Sequence, residues 1–297
     1  MPVTRLYGII PPLITPFDTK GNLSVDRLSG IVEFTKPYVH GYYLCGTYGL
    51  GPLMRTDQRK KVAERVAELV GGEKLIVVHV GSADTETAVE LAKHAQDIGA
   101  HAVASVPPFY YHHSETHILN FFRELVDSVS IPVYAYNNPP RVGYPITPEL
   151  ALKLKEVGVA GIKDSSFDVQ AFIDYKVTLG EDFDVVVGTE ALMLPTYVLG
   201  ARAFIPGMSN YAPEIVFKLF KALENRDFEN AAKIQYKINK VRRQVQRLGP
   251  TIPLVYLALK LRGVDAGFPR KPFLPAPHEV QEILKSYIEE LLEGVET

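Results

Sequence analysis

The 297-residue chain has one cysteine, Cys45, and no tryptophan. A single cysteine excludes an intramolecular disulfide and leaves no thiolate cluster for a metal. No apolar run approaches the roughly 18 residues of a membrane-spanning helix, so no membrane partner is expected. Net charge is also scarce, with a formal value of −2 at pH 7. A chain without a broad basic field offers no electrostatic footprint for nucleic acid. The opening residues Met1-Pro2-Val3-Thr4-Arg5-Leu6 lack the apolar core of a signal peptide, and a cytoplasmic location is the expectation. What is present is 46% hydrophobic and 22% charged, the balance of a globular chain with a sizeable core.

Short apolar runs alternate with segments of helical periodicity. The first runs from Tyr7, and Pro11, Pro12 and Pro16 turn it into an irregular loop. Further strands are expected at Gly41 to Cys45, Leu75 to Val80, Ala102 to Val106, Pro132 to Tyr136, the run ending at Lys163, Phe183 to Val187, and Ala203 to Pro206. Between them, Ser24 reads as an N-cap, Thr56 or Asp57 opens a helix, and Thr147 caps a helix with Pro148 at its first position. Eight strand-helix units imply parallel pairing and a (β/α)₈ TIM barrel of the α/β class. A doubly wound open sheet is the rival. It usually carries a glycine fingerprint in its first turn, and the first turn here has no glycine cluster. Residues 1–224 form the expected barrel, and 225–297 a C-terminal helical extension packed on it, with no linker between.

The stretch Gly161-Ile162-Lys163-Asp164-Ser165-Ser166 stands out. Apolar and small residues precede the lysine, and polar ones follow at once. The pattern suits a strand buried on both faces with the lysine near its C-terminal end. Desolvation disfavours the charged amine and lowers its pKa, and a neutral amine can attack a ketone to form a Schiff base. A surface lysine that merely follows a strand is the alternative.

In such a barrel the strand C-termini carry the active site. Thr47 and Tyr48 follow the second strand, Tyr110 and Tyr111 the fourth, and Tyr136 ends the fifth with Arg141 beyond it. Lys163, Gly188 and Ile205 end the sixth, seventh and eighth. A phenol beside an iminium can relay a proton. A glycine-rich loop offers N–H groups to a carboxylate, and an arginine can hold a second one. His113 and His117 have a helical metal-ligand spacing but no accompanying acid pattern. Cys45 reads as a buried strand residue. The reading calls for neither metal nor organic cofactor.

Five motifs occur in order: Gly46-Thr47-Tyr48-Gly49, Pro108-Phe109-Tyr110-Tyr111, Tyr136-Asn137-Asn138-Pro139, Gly161-Ile162-Lys163-Asp164 and Ser209-Asn210. As a set they resemble the pyruvate-dependent class I aldolase family of dihydrodipicolinate synthase, N-acetylneuraminate lyase and 2-keto-3-deoxygluconate aldolase. The resemblance implies that Lys163 forms the Schiff base and Tyr136 donates and accepts the proton. Thr47 would relay that proton, and Tyr110 would enter a neighbouring subunit's site. Tyr48, Arg141, Gly188 and Ile205 would contact substrate. The implied partners are small molecules, pyruvate or a 2-oxo acid and an aldehyde, and the implied assembly is a homotetramer.

Two departures bear on the aldehyde. Tyr48 stands where the family usually has a second small hydroxyl. Leu50-Gly51-Pro52 replaces the common glutamate and resembles 2-keto-3-deoxy sugar acid aldolases, the favoured reading. Arg141 matches the arginine that dihydrodipicolinate synthase uses for aspartate semialdehyde, the second reading. A barrel that has lost turnover and keeps a binding or regulatory role is the third.

Overall fold

A computed structural model describes residues 5–295. Its strands are short and all parallel: β1 (Gly8–Ile9), β2 (Gly41–Leu44), β3 (Leu75–His79), β4 (Ala102–Ser105), β5 (Val133–Asn137), β6 (Gly161–Asp164), β7 (Asp184–Val187) and β8 (Ala203–Phe204). They pair in the order β1-β8-β7-β6-β5-β4-β3-β2. Backbone hydrogen bonds from Leu13 to Tyr43 and from Tyr43 to Pro11 join the two ends, and a parallel bridge links Pro12 to Tyr43. The sheet thereby closes into a TIM barrel.

The helices are α1 (Arg27–Thr35), α2 (Thr56–Val70), α3 (Thr85–Asp97), α4 (Glu115–Ser128), a one-turn α5 (Pro139–Val142), α6 (Pro148–Glu156), α7 (Val169–Leu179), α8 (Met193–Val198), α9 (Pro213–Glu224), α10 (Phe228–Arg247), α11 (Thr251–Leu261) and α12 (Gln281–Leu292). Thr147 accepts from the Leu150 N–H and Pro148 occupies the first turn, as the sequence implies. Ser24 does not cap α1. The chain makes another turn first, and Asp26 precedes the helix, while the Ser24 hydroxyl accepts from the Arg27 guanidinium at 2.7 Å. The segment from Asn138 to Pro145 contains α5, which Gly143 ends at φ 91°. After β7, a tight 3₁₀ turn over Glu190–Leu192 precedes α8.

Alternation along each strand sorts side chains between two cores. Tyr43, Val77, Ala102, Ala104, Tyr134, Tyr136 and Val186 fill the barrel interior. Ala135, Ile162 and Val187 face the helices. Small residues on β4 leave room for the β5 tyrosines. Gly161 is required for the same reason: a Cβ there would stand 2.5 Å from Tyr134 and 2.6 Å from the Asp184 carbonyl. Helix α10 packs on α9 and α12 and lies against the Glu190–Leu192 turn beside the barrel mouth.

Candidate active site

Strand β6 places Lys163 one residue before its end, paired in register with Tyr136 of β5. The lysine is 4% exposed, so its amine has almost no water to solvate a charge. Its Nζ lies 3.9 Å from the centroids of both the Tyr43 and Tyr136 rings. Burial lowers the Lys163 pKa, and attraction and a hydrogen bond to Tyr136 offset part of that effect. Burial acts on Tyr136 in the opposite sense. The neighbouring Lys163 charge and hydrogen bonds with Ser165, Thr47 and Lys163 outweigh it, and the phenol is net lowered. Burial thus favours the neutral amine, while the phenol yields its proton more readily when Lys163 carries charge.

Asn138 connects this pair to the loop after β2. Its amide donates to the Tyr136 hydroxyl at 2.9 Å and to the Thr47 hydroxyl at 3.4 Å. The Asp164 carboxylate turns to its own scaffold. It accepts from Asn137 at 2.7 Å and from the Ser166 hydroxyl at 2.6 Å, tying the ends of β5 and β6 together. Gly188 packs against these ends. Its N–H donates to the Asp164 carbonyl at 2.7 Å, and a Cβ there would overlap the Ser165 hydroxyl.

The site opens into a cavity of about 630 Å³. Of the residues singled out in the sequence, Lys163, Tyr136, Thr47, Tyr48, Arg141, Gly188 and Ile205 all line it. Tyr110 does not: it is 87% exposed, held at φ 80°, with its ring edge-on to Tyr111. His113 and His117 lie with ring centroids 6.0 Å apart. No group of three metal-ligating side chains is found among the described residues.

The outer wall holds side chains that sequence reading passed over. Glu190 follows β7 and its carboxylate lies 3.1 Å from Arg242 Nε. The Arg242 guanidinium stacks 4.8 Å from the Phe167 ring. Arg242, Val245 and Gln246 belong to α10 and line the cavity, so the helices after the barrel help enclose the site. Tyr43 was also missed, because only the closed barrel brings β2 opposite β6. Beneath the pair, His79 packs edge-on to Tyr136. Burial and then the Arg59 charge hold its imidazole well below the ordinary range, so it stays neutral.

A closed parallel barrel with a desolvated lysine against a phenol, at the floor of a cavity, has the chemistry of a class I, Schiff-base-forming aldolase or lyase. The chain belongs to the dihydrodipicolinate synthetase family, whose model matches residues 5–291. Like the family's members, it is a pyruvate-dependent lyase. The 4-hydroxy-tetrahydrodipicolinate synthase of Methanopyrus kandleri is 30% identical over 97% of each chain. The KD(P)GA of T. tenax is 28% identical, with a TM-score of 0.88 covering 97% of this chain and 100% of that one. YagE, a prophage protein of this family from E. coli K12 solved in complex with pyruvate, is 26% identical, with a TM-score of 0.91 covering 96% and 98%.

Proposed function

We propose that the protein cleaves a 2-keto-3-deoxy sugar acid to pyruvate and a hydroxyaldehyde, or runs the reverse condensation, with Lys163 as the Schiff-base lysine. The carrying observation is the buried Lys163–Tyr136 pair, side by side on β6 and β5 and both lining one cavity. The neutral amine adds to the keto carbon, Tyr136 gives its proton to the departing hydroxyl, and water leaves, giving an iminium beside the Tyr136 phenolate. Tyr136 takes the proton of the C4 hydroxyl. The C3–C4 bond breaks and its electrons pass into the iminium, giving an enamine and free aldehyde. Tyr136 returns the proton to C3, and water releases pyruvate. Thr47, joined to Tyr136 through Asn138, relays the proton. Gly188 and Ile205 bound the pyruvyl end. In a homotetramer, Tyr110 extends the relay from a neighbouring copy.

The acceptor wall supports the sugar acid reading. Glu190 already meets the Arg242 charge, so the pair presents donors and acceptors to hydroxyls rather than a free cation to an anion. The likeness to the T. tenax structure and the Leu50-Gly51-Pro52 continuation agree with this. Arg141 favours the second reading, dihydrodipicolinate synthase: it is exposed on the cavity lining, where a guanidinium suits the carboxylate of aspartate semialdehyde. The joint presence of Lys163, Tyr136 and Thr47 in one cavity weighs against an inactive barrel.

The test is borohydride trapping with pyruvate, read as intact mass and modified peptide, followed by an acceptor screen. An adduct on Lys163 with turnover of glyceraldehyde supports the proposal. An adduct with turnover of aspartate semialdehyde alone moves the assignment to the synthase. No adduct on the folded protein removes the chemistry.

A further inference from the structure

We propose that Tyr48 and Gly207 form a matched pair that sets the length of the aldehyde this site accepts. The inference rests on the aldolase reading above and concerns its acceptor half.

Tyr48 follows β2 and Gly207 follows β8, with the end of β1 between them. The Tyr48 side chain crosses that gap. A Cβ on Gly207 would overlap the Tyr48 hydroxyl and stand 2.8 Å from the ring Cε1. Neither backbone segment is free to retreat. Asn210 donates to the Gly207 carbonyl at 3.0 Å and to the Pro12 carbonyl at 3.1 Å, and accepts from the Ile14 N–H at 3.1 Å. These bonds pin the segment after β8 to the segment after β1. On the other side, the loop carrying Tyr48 folds back through Gly51 N–H to the Gly46 carbonyl at 3.1 Å. Adding a methyl group at 207 therefore displaces the ring of Tyr48 rather than the backbone.

On the aldolase reading, the acceptor enters the cavity that this ring lines. Tyr48 lines the cavity together with Tyr136, Lys163, Glu190 and Arg242. Glu190, Arg242, Arg141 and Tyr136 all stand close enough to act on its phenol. Burial first, then the Glu190 charge, raises the phenol's pKa. The hydroxyl stays protonated and can both donate to and accept from an aldehyde's hydroxyl. A small hydroxyl residue here would leave the volume of an aromatic ring for substrate. With Tyr48 in place, that volume is filled and a short hydroxyaldehyde fits.

The test uses Tyr48→Thr, Gly207→Ala and the double variant, with kcat/KM measured for condensation of pyruvate with glyceraldehyde and, separately, with arabinose. Comparing variants by ratio cancels the ring-closed fraction of arabinose. Tyr48→Thr is expected to raise the arabinose-to-glyceraldehyde ratio by about tenfold or more. Gly207→Ala is expected to lose about tenfold on glyceraldehyde alone, and less than about twofold when added to Tyr48→Thr. If Gly207→Ala does not accumulate folded, recovery of folded protein in the double variant reports the same coupling. An unchanged ratio in Tyr48→Thr, or equal loss from Gly207→Ala in both backgrounds, overturns the pair. Failure of the wild type to trap pyruvate would instead remove the underlying aldolase reading.

Discussion

The amine of Lys163 sits 3.9 Å from the centroid of the Tyr43 ring, on a residue that the sequence gives no reason to connect with it. A second ring, Tyr136, stands at the same distance. Two aromatic faces thus flank the atom that would carry positive charge in the proposed iminium. Cation–π attraction at desolvated sites is worth about 2 kcal/mol.

Tyr43 separates ring from hydroxyl. Its phenol oxygen is buried without a hydrogen-bond partner among the described residues. Tyr43→Phe should therefore keep trapping activity and gain up to about 1 kcal/mol in urea unfolding, since a buried unpaired group is removed. Tyr43→Leu removes the ring and should slow trapping by about tenfold or more. Equal trapping rates in the two variants would show that the ring does not act on the amine.

The pH dependence of trapping follows from the lysine. Only the neutral amine attacks pyruvate, and burial lowers the Lys163 pKa. At subsaturating pyruvate, the rate should rise with pH and level off below the ordinary lysine range. Tyr136 pulls that pKa upward through charge and a hydrogen bond. Tyr136→Phe should consequently move the inflection to lower pH, even as turnover falls. A shift to higher pH would mean that the phenol does not stabilise the ammonium.

Gly188→Ala should destabilise the protein by about 1–3 kcal/mol in urea unfolding. The new methyl would meet the Ser165 hydroxyl and lie 2.7 Å from the Asp164 carbonyl. Both contacts are next to Lys163, so the trapping rate should fall as well. A neutral effect on stability would mean that the ends of β6 and β7 can part.

Arg141→Ala distinguishes the two acceptor readings. If the arginine serves a carboxylate-bearing aldehyde, KM for aspartate semialdehyde should rise about tenfold or more, while KM for glyceraldehyde changes little. Equal small effects on both would assign Arg141 to the solvated rim.

The barrel was legible because each strand is a short apolar run between helical stretches, and Lys163 stood out because it interrupts such a run at its end. Tyr136 and Thr47 were legible as motif residues in the same order. The Glu190–Arg242 pair was not, because its members lie on separate elements far apart in sequence and each alone reads as a surface charge. Tyr43 looked like one more apolar residue of β2. Its role depends on which strand faces it across the barrel, a relation set by closure and not by local pattern. Tyr110 was read from its motif, and one chain alone leaves it facing solvent.

Helix α10 lends Arg242, Val245 and Gln246 to the cavity, while the lysine and its phenol belong to strands. On the proposed reading, part of the wall around the aldehyde therefore lies on an element separate from the strands that carry Lys163 and Tyr136. Under that reading, substitutions along one helix would alter the aldehyde's surroundings and leave Lys163 and Tyr136 in place. Such a division lets one scaffold diversify its substrates in small, survivable steps.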